Sequence, residues 1–206
     1  MRPLPRLFAV TDSRICRRED FPVRAAAIAS AGSGVAIIVR GPDATAAERL
    51  GWLERVRALA LPAESAVLGH GDPALARIGA AHGVHLRRGD LSPQDARPVL
   101  GHGWIGVSVH DPEAARLAFD EGADYVIAGN VFATPSHPDR APRGLEWLGR
   151  LVRAVEGPVV AIGGVAAASV RSVTETGAWG VAAVTALWDA KDPAATAASM
   201  LEELVI

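Results

Sequence analysis

The sequence predicts a single α/β domain over residues 1–206, folded as a closed (β/α)8 TIM barrel. Three observations carry that expectation. Short apolar runs alternate with longer stretches rich in Ala, Arg and Glu; eight such units can be counted; and the alternation continues to a last helical segment without a linker, low-complexity tract or charge block. An open doubly wound sheet is the alternative for this pattern, and at this length it normally has fewer strands.

Taken in order, the strand candidates are residues 7–10, 35–39, 65–68, 83–86, 104–107, 125–128, 158–162 and 180–184. Most are near-continuously apolar and β-branched, as parallel strands covered on both faces must be. Amphipathic segments at 45–59, 112–121, 145–155 and 166–175 supply helices between them. Asp43, Ser92-Pro93, Asp111-Pro112 and Asp192-Pro193 stand where helix caps belong, with proline suited to the first helical position. Gly122 and Gly177, each a few residues ahead of a strand run, read as helix-ending glycines, and Gly83 repeats the pattern more weakly.

Composition narrows the function classes. Half of the residues are hydrophobic and 5% aromatic, which suits small branched side chains layered between strands and helices. A formal net charge of −2 argues against a nucleic-acid surface built on bulk charge. Cys16 is the only cysteine, so an internal disulfide and a thiolate metal cluster are both excluded, and a reducing cytoplasm fits. Residues 1–6 are too short and proline-rich for a signal peptide, and no apolar run is long enough to span a bilayer. The expectation is a soluble cytoplasmic protein with small-molecule partners and neither nucleic acid nor membrane. Trp52, Trp147 and Trp188 are candidates for a homo-oligomer face, with core packing as their alternative.

In such a barrel, chemistry sits where strands end and βα loops begin. Those positions hold Asp12, Arg40, His70, Asp90, Ser108, His110, Asn130, the loop 134–143, Gly163-Gly164 and Thr185. Paired glycines after the seventh strand let backbone amides converge on an anion, and the following helix points its positive end there. Thr185, after the eighth strand, adds a hydroxyl to the same anion. The sixth loop carries hydroxyls at Thr134 and Ser136, an imidazole at His137 and cations at Arg140 and Arg143, among three prolines. It reads as a binding loop or as a proline-stiffened surface loop. Arg40 faces a bound anion or a solvated rim. Asp90 binds Mg2+ or caps the next helix. Ser108 and His110 share one side of the fifth strand, where His110 is a general acid/base or a histidine tied to a helix start. His82, His85 and His102 show no partner cluster, and no metal-site or nucleophile-elbow spacing is present.

Several stretches together resemble the thiamine phosphate synthase and TenI family: 83–86 with Asp90, 106–110, 122–126, the loop 132–145, and 162–165. The resemblance spans nearly the whole chain and implies the same barrel. It implies a role in thiamine biosynthesis, with thiazole phosphate held at Gly163, Gly164 and Thr185. In the synthase branch a pyrimidine methyl diphosphate is joined to thiazole phosphate with Mg2+, releasing pyrophosphate. Against that pattern Arg40, Asp90, Ser108, Thr134, Ser136 and His137 match. Ile38 and Pro42 replace a Gln and a Lys, however, and His70-Gly71 replace an Asn-Asp pair, with Asp72 adjacent. The phosphate half of the pattern is therefore intact and the Mg2+–pyrophosphate half eroded. Ser108-Val109-His110 and 142–145 resemble the TenI branch, whose thiazole tautomerase activity needs no cofactor. The TenI catalytic histidine falls at Asn130, which is no general base, leaving His110 or His137 as the proton carrier. Three readings follow: a TenI-like thiazole-phosphate protein with or without tautomerase activity, a divergent synthase, and a non-catalytic barrel that senses a thiamine intermediate.

Overall fold

In the computed structural model, residues 3–134 and 141–204 are described. Eight parallel strands close into a barrel in sequence order. They are β1 Leu7–Val10, β2 Val35–Ile38, β3 Ala66–His70, β4 Gly83–Leu86, β5 Trp104–Val109, β6 Tyr125–Gly129, β7 Val159–Ile162 and β8 Gly180–Ala183. Closure is direct: β1 pairs β2 through Leu7 opposite Val35 and β8 through Leu7 opposite Val181. The strand ends lie within two residues of the sequence expectation.

Strand alternation divides the apolar residues into two cores. Phe8, Val10, Ala36, Ile38, Leu68, Tyr125, Ile127 and Val160 cluster with one another inside the barrel. Their strand neighbours Leu7, Ala9, Val35, Ile37, Val126 and Ala161 face outward and pack with helix residues such as Leu53, Val56 and Leu151. This double burial is why the runs lack a polar face. Gly106 makes the interior possible, because a Cβ there would collide with the Tyr125 ring.

Helix starts follow side-chain chemistry. Asp72, Ser92, Asp111 and Asp192 each accept an amide bond from the first turn of a helix that opens on proline. Two capping expectations are corrected. Thr45, in a reciprocal pair with Glu48, caps the helix Ala46–Ala60, while Asp43 instead meets Arg17 at 2.9 Å. Asp90 caps nothing, since Ser92 takes that role. Trp188 is fully buried and Trp52 and Trp147 pack partly buried against the core. Cys16 is buried, and desolvation pushes its thiol up to about 11. Among the described residues no helix is long and apolar enough to cross a membrane.

Candidate functional site

The C-terminal strand ends surround a cavity of about 850 Å3. The barrel brings Arg40, Ser108, His110, Asn130, Thr134, Gly163, Gly164 and Thr185 to its wall, with Asp12 and His70 beside them. These come from distant chain positions, and only the closed sheet unites them. Ser136 and His137 lie outside the described residues.

On the β7/β8 side the wall is backbone. Gly163 and Gly164 have φ of 101° and 65°, conformations that glycine adopts without a Cβ penalty. Space demands glycine too: a Cβ on Gly163 would lie 2.6 Å from the Asn130 Cβ, and one on Gly164 would strike the Ala133 carbonyl oxygen. The sixth loop is drawn against this turn, with the Phe132 amide donating to the Gly163 carbonyl at 2.9 Å. The loop's ends are pinned by Arg143 N–H to Asn130 carbonyl, 3.0 Å, and Gly144 N–H to Val131 carbonyl, 2.9 Å. Gly163, Gly164 and Thr185 together line this side of the cavity.

On the β2–β4 side the wall is charged side chain. Arg40, Arg87 and Arg88 line it. Arg40 is partly buried, and desolvation lowers its pKa, with Arg87 adding like-charge repulsion and Asp12 opposing. Asp90 accepts from the Arg87 amide at 2.7 Å and from its guanidinium at 3.1 and 2.8 Å. This carboxylate, only 10% exposed, is committed to one cation.

Between the two sides stand three imidazoles, His70, His85 and His110. His85 Nε2 lies 2.8 Å from the Ser108 hydroxyl, and its ring is 5.9 Å from that of His70. Burial pushes His85 down to about 3; burial, then His85 and the arginines, drive His70 down as well. His110 Nδ1 meets the Gly129 carbonyl at 3.1 Å. A carbonyl only accepts, so Nδ1 carries a proton in this contact. His110 is therefore tied to a strand end, while Asp111 caps the following helix.

Sequence reading missed His85, Arg87 and Arg88. The expectation that His85 lacks partners is overturned by Ser108 and His70. A signal for it existed: His85 pairs across β4 with His70 and Gly106, whereas Val84 and Leu86 pack outside the barrel. The two arginines follow β4 directly with no motif to mark them.

The family model for thiamine monophosphate synthase matches residues 7–187. The chain belongs to this family. It is 36% identical over 177 residues to a thiamine-phosphate synthase of Thermus thermophilus, covering 85% of both chains. To that of Anaeromyxobacter dehalogenans it is 40% identical over 181 residues, covering 87% of this chain and 81% of the relative. The solved thiamine phosphate pyrophosphorylase from Pyrococcus furiosus superposes with a TM-score of 0.83 at 30% identity, over 97% and 95% of the two chains. A 3-hexulose-6-phosphate synthase, at 19% identity and a TM-score of 0.74, shares the fold. Membership in the thiamine monophosphate synthase family agrees with the resemblance read from the sequence and assigns the chain to thiamine biosynthesis.

The Mg2+ of the synthase branch does not fit the donors present. Gly71 offers no side-chain ligand, Asp72 caps the helix Pro73–Ile78, and Asp90 is held by Arg87. Among the described residues no three His, Cys, Asp or Glu side chains gather. A divalent cation beside Asp90 would also face the Arg87 charge directly.

Proposed function

We propose that this protein binds a thiazole phosphate by its phosphate and moves a proton on the ring, as a TenI-like thiazole tautomerase. The phosphate sits on the amides of Gly163, Gly164 and Thr185, with the Thr185 hydroxyl as a further donor. Thr134 lines the same cavity from the start of the sixth loop. A carboxylate tautomer of the thiazole needs a base that takes a proton from one ring carbon and an acid that returns it to another.

The observation that carries this reading is His110. Its Nδ1–H is fixed on the Gly129 carbonyl and the residue lines the cavity, so in the neutral ring Nε2 is the nitrogen that would act as base. Asn130 follows Gly129 directly, so His110 reaches the chain segment that bears the TenI histidine. Asn130 itself supplies an amide for binding rather than a base. Ser108, held by His85, donates or accepts a hydrogen bond to the ring, and His137 belongs to the sixth loop as a second proton carrier. No metal is needed, which suits the donor set.

The experiment follows loss of the thiazole carboxylate phosphate tautomer by NMR. His110→Ala lowers the rate by about 10²–10⁴-fold, the range of a lost general base, while His137→Ala lowers it less and phosphate affinity stays. Wild-type protein that binds the compound without converting it sinks the reading and favours a sensing role.

The divergent-synthase reading is favoured by one finding, the thiamine-phosphate synthase names of relatives at 36% and 40% identity. It requires Arg40 and its neighbours to stabilise departing pyrophosphate. Supplying pyrimidine methyl diphosphate, thiazole phosphate and Mg2+ tests it, and thiamine phosphate formed at an ordinary enzymatic rate would replace the tautomerase reading.

A further inference from the structure

We propose that the Arg87 guanidinium, clamped by Asp90 beside Gly71, is a permanent cation of the site that binds a ligand oxyanion without any divalent metal. The inference rests on the cavity being a ligand site, and not on which reaction occurs there.

Its geometry comes first. The Asp90 carboxylate takes Nε and Nη2 of Arg87 at 3.1 and 2.8 Å, and the Arg87 amide at 2.7 Å. A guanidinium has five N–H donors in a planar fork, so this two-point contact leaves three of them free. Arg87 is 52% exposed against 10% for Asp90, which puts the carboxylate behind and the cation at the cavity wall. An anchored arginine loses less conformational freedom on binding an anion than a free one.

Gly71 makes room for this arrangement. A Cβ at residue 71 would stand 3.2 Å from Arg87 Nη2 and 3.3 Å from the nearer Asp90 oxygen. A side chain at residue 71 would thus crowd the guanidinium and its carboxylate. Where two acids would hold a divalent ion, one acid holds an arginine.

Charge balance gives the ligand's class. Arg40, Arg87 and Arg88 line this edge, opposed by Asp12 at the wall and Asp90 behind it. One Asp12 oxygen is taken by the Ile15 amide at 2.7 Å. His70 and His85 are neutral here and offset nothing. The excess positive charge selects an oxyanion, either a carboxylate or a diphosphate, and repels a metal cation. The competing view is an ion pair that only stiffens the turn after β4.

Calorimetric titration separates these views. Inorganic pyrophosphate and a thiazole carboxylate lacking phosphate are each titrated into wild type and Arg87→Ala, in EDTA and in excess Mg2+. At least one anion binds wild type equally in both media, and Arg87→Ala weakens it about tenfold or more, a change of about 1.4 kcal/mol. Inorganic phosphate, directed to the Gly164 loop, is unaffected by the substitution. The anion that responds to Arg87 identifies the source as carboxylate or diphosphate. Titration of Mn2+ followed by electron paramagnetic resonance shows no bound ion in wild type. Binding that requires Mg2+, capture of Mn2+ by wild type, neither anion binding, or equal binding by Arg87→Ala each overturns the proposal. Equal binding with a lowered Tm is the signature of mere stiffening. Should Arg87→Ala fold poorly, Arg87→Gln repeats the test with the stem retained. Failure of the tautomerase reading appears in the NMR conversion assay, which these titrations do not touch.

Discussion

The two edges of the cavity are built from different materials. The β7/β8 edge is backbone: Gly163 and Gly164 held in left-handed conformations, with the Thr185 amide beside them. The β2–β4 edge is side chain: Arg40, Arg87 and Arg88, with Asp90 behind. A site made of amides persists as long as its turn persists, because substitution elsewhere cannot remove an N–H. A site made of carboxylates is lost by one substitution and can be rebuilt with another charge. That contrast is consistent with the proposal of a phosphate end made of backbone beside an edge whose donors do not fit a metal.

The largest effect should come from breaking the backbone edge. Gly164→Val places a β-branched side chain at a φ of 65° and against the Ala133 carbonyl. Thiazole phosphate binding disappears in calorimetry, and Tm falls by several degrees while the far-ultraviolet circular dichroism spectrum keeps its shape. Retained affinity would mean that the phosphate is held elsewhere.

Acid sensitivity should be the next largest, and it reports on the imidazoles between the edges. His85 is held far below its ordinary value, at about 3, so below about pH 6.5 the unfolded chain binds a proton that the folded chain refuses. Stability is full above that pH and falls as pH drops through it, by about 1.4 kcal/mol per pH unit for each such histidine. His70 is shifted in the same direction. Urea unfolding at pH 7.5 and pH 5 therefore shows a marked loss at the lower value, and His85→Gln makes that loss smaller. Asp20, whose carboxyl is held down by Arg18 and Arg24, adds acid sensitivity only in a lower window, below its ordinary value of 3.8. An unchanged pH slope in His85→Gln would show that this ring is charged in the fold.

The smallest effect belongs to a single hydroxyl. Thr185→Val keeps the amide and removes one donor, so phosphate affinity falls only a few-fold, about 1 kcal/mol. A loss as large as that of Gly164→Val would shift weight from backbone to side chain at this edge.

How far the sequence could be read follows the same division. The strands were legible because most of the runs are apolar on two faces, and their count favoured a closed barrel over an open sheet. Gly163-Gly164 were legible because a fold position and a residue type coincide there. His110 was placed on the right strand face by alternation with Ser108, but its bond to Gly129 depends on β5 lying beside β6. The Arg87–Asp90 clamp is local in sequence, three residues apart, and still unreadable. Its meaning depends on Gly71, which arrives from the end of β3. Asp43 and Thr45 are equally plausible caps by composition, and the reciprocal Glu48 bond decides between them.

The most direct test of the contrast is an amide NMR titration of wild-type protein with thiazole phosphate in EDTA. The largest shifts should fall on the amides of Gly163, Gly164 and Thr185, with saturation unaffected when Mg2+ is added. Shifts concentrated at Arg40, Arg87 and Arg88, with the Gly163 and Gly164 amides unmoved, would contradict the account.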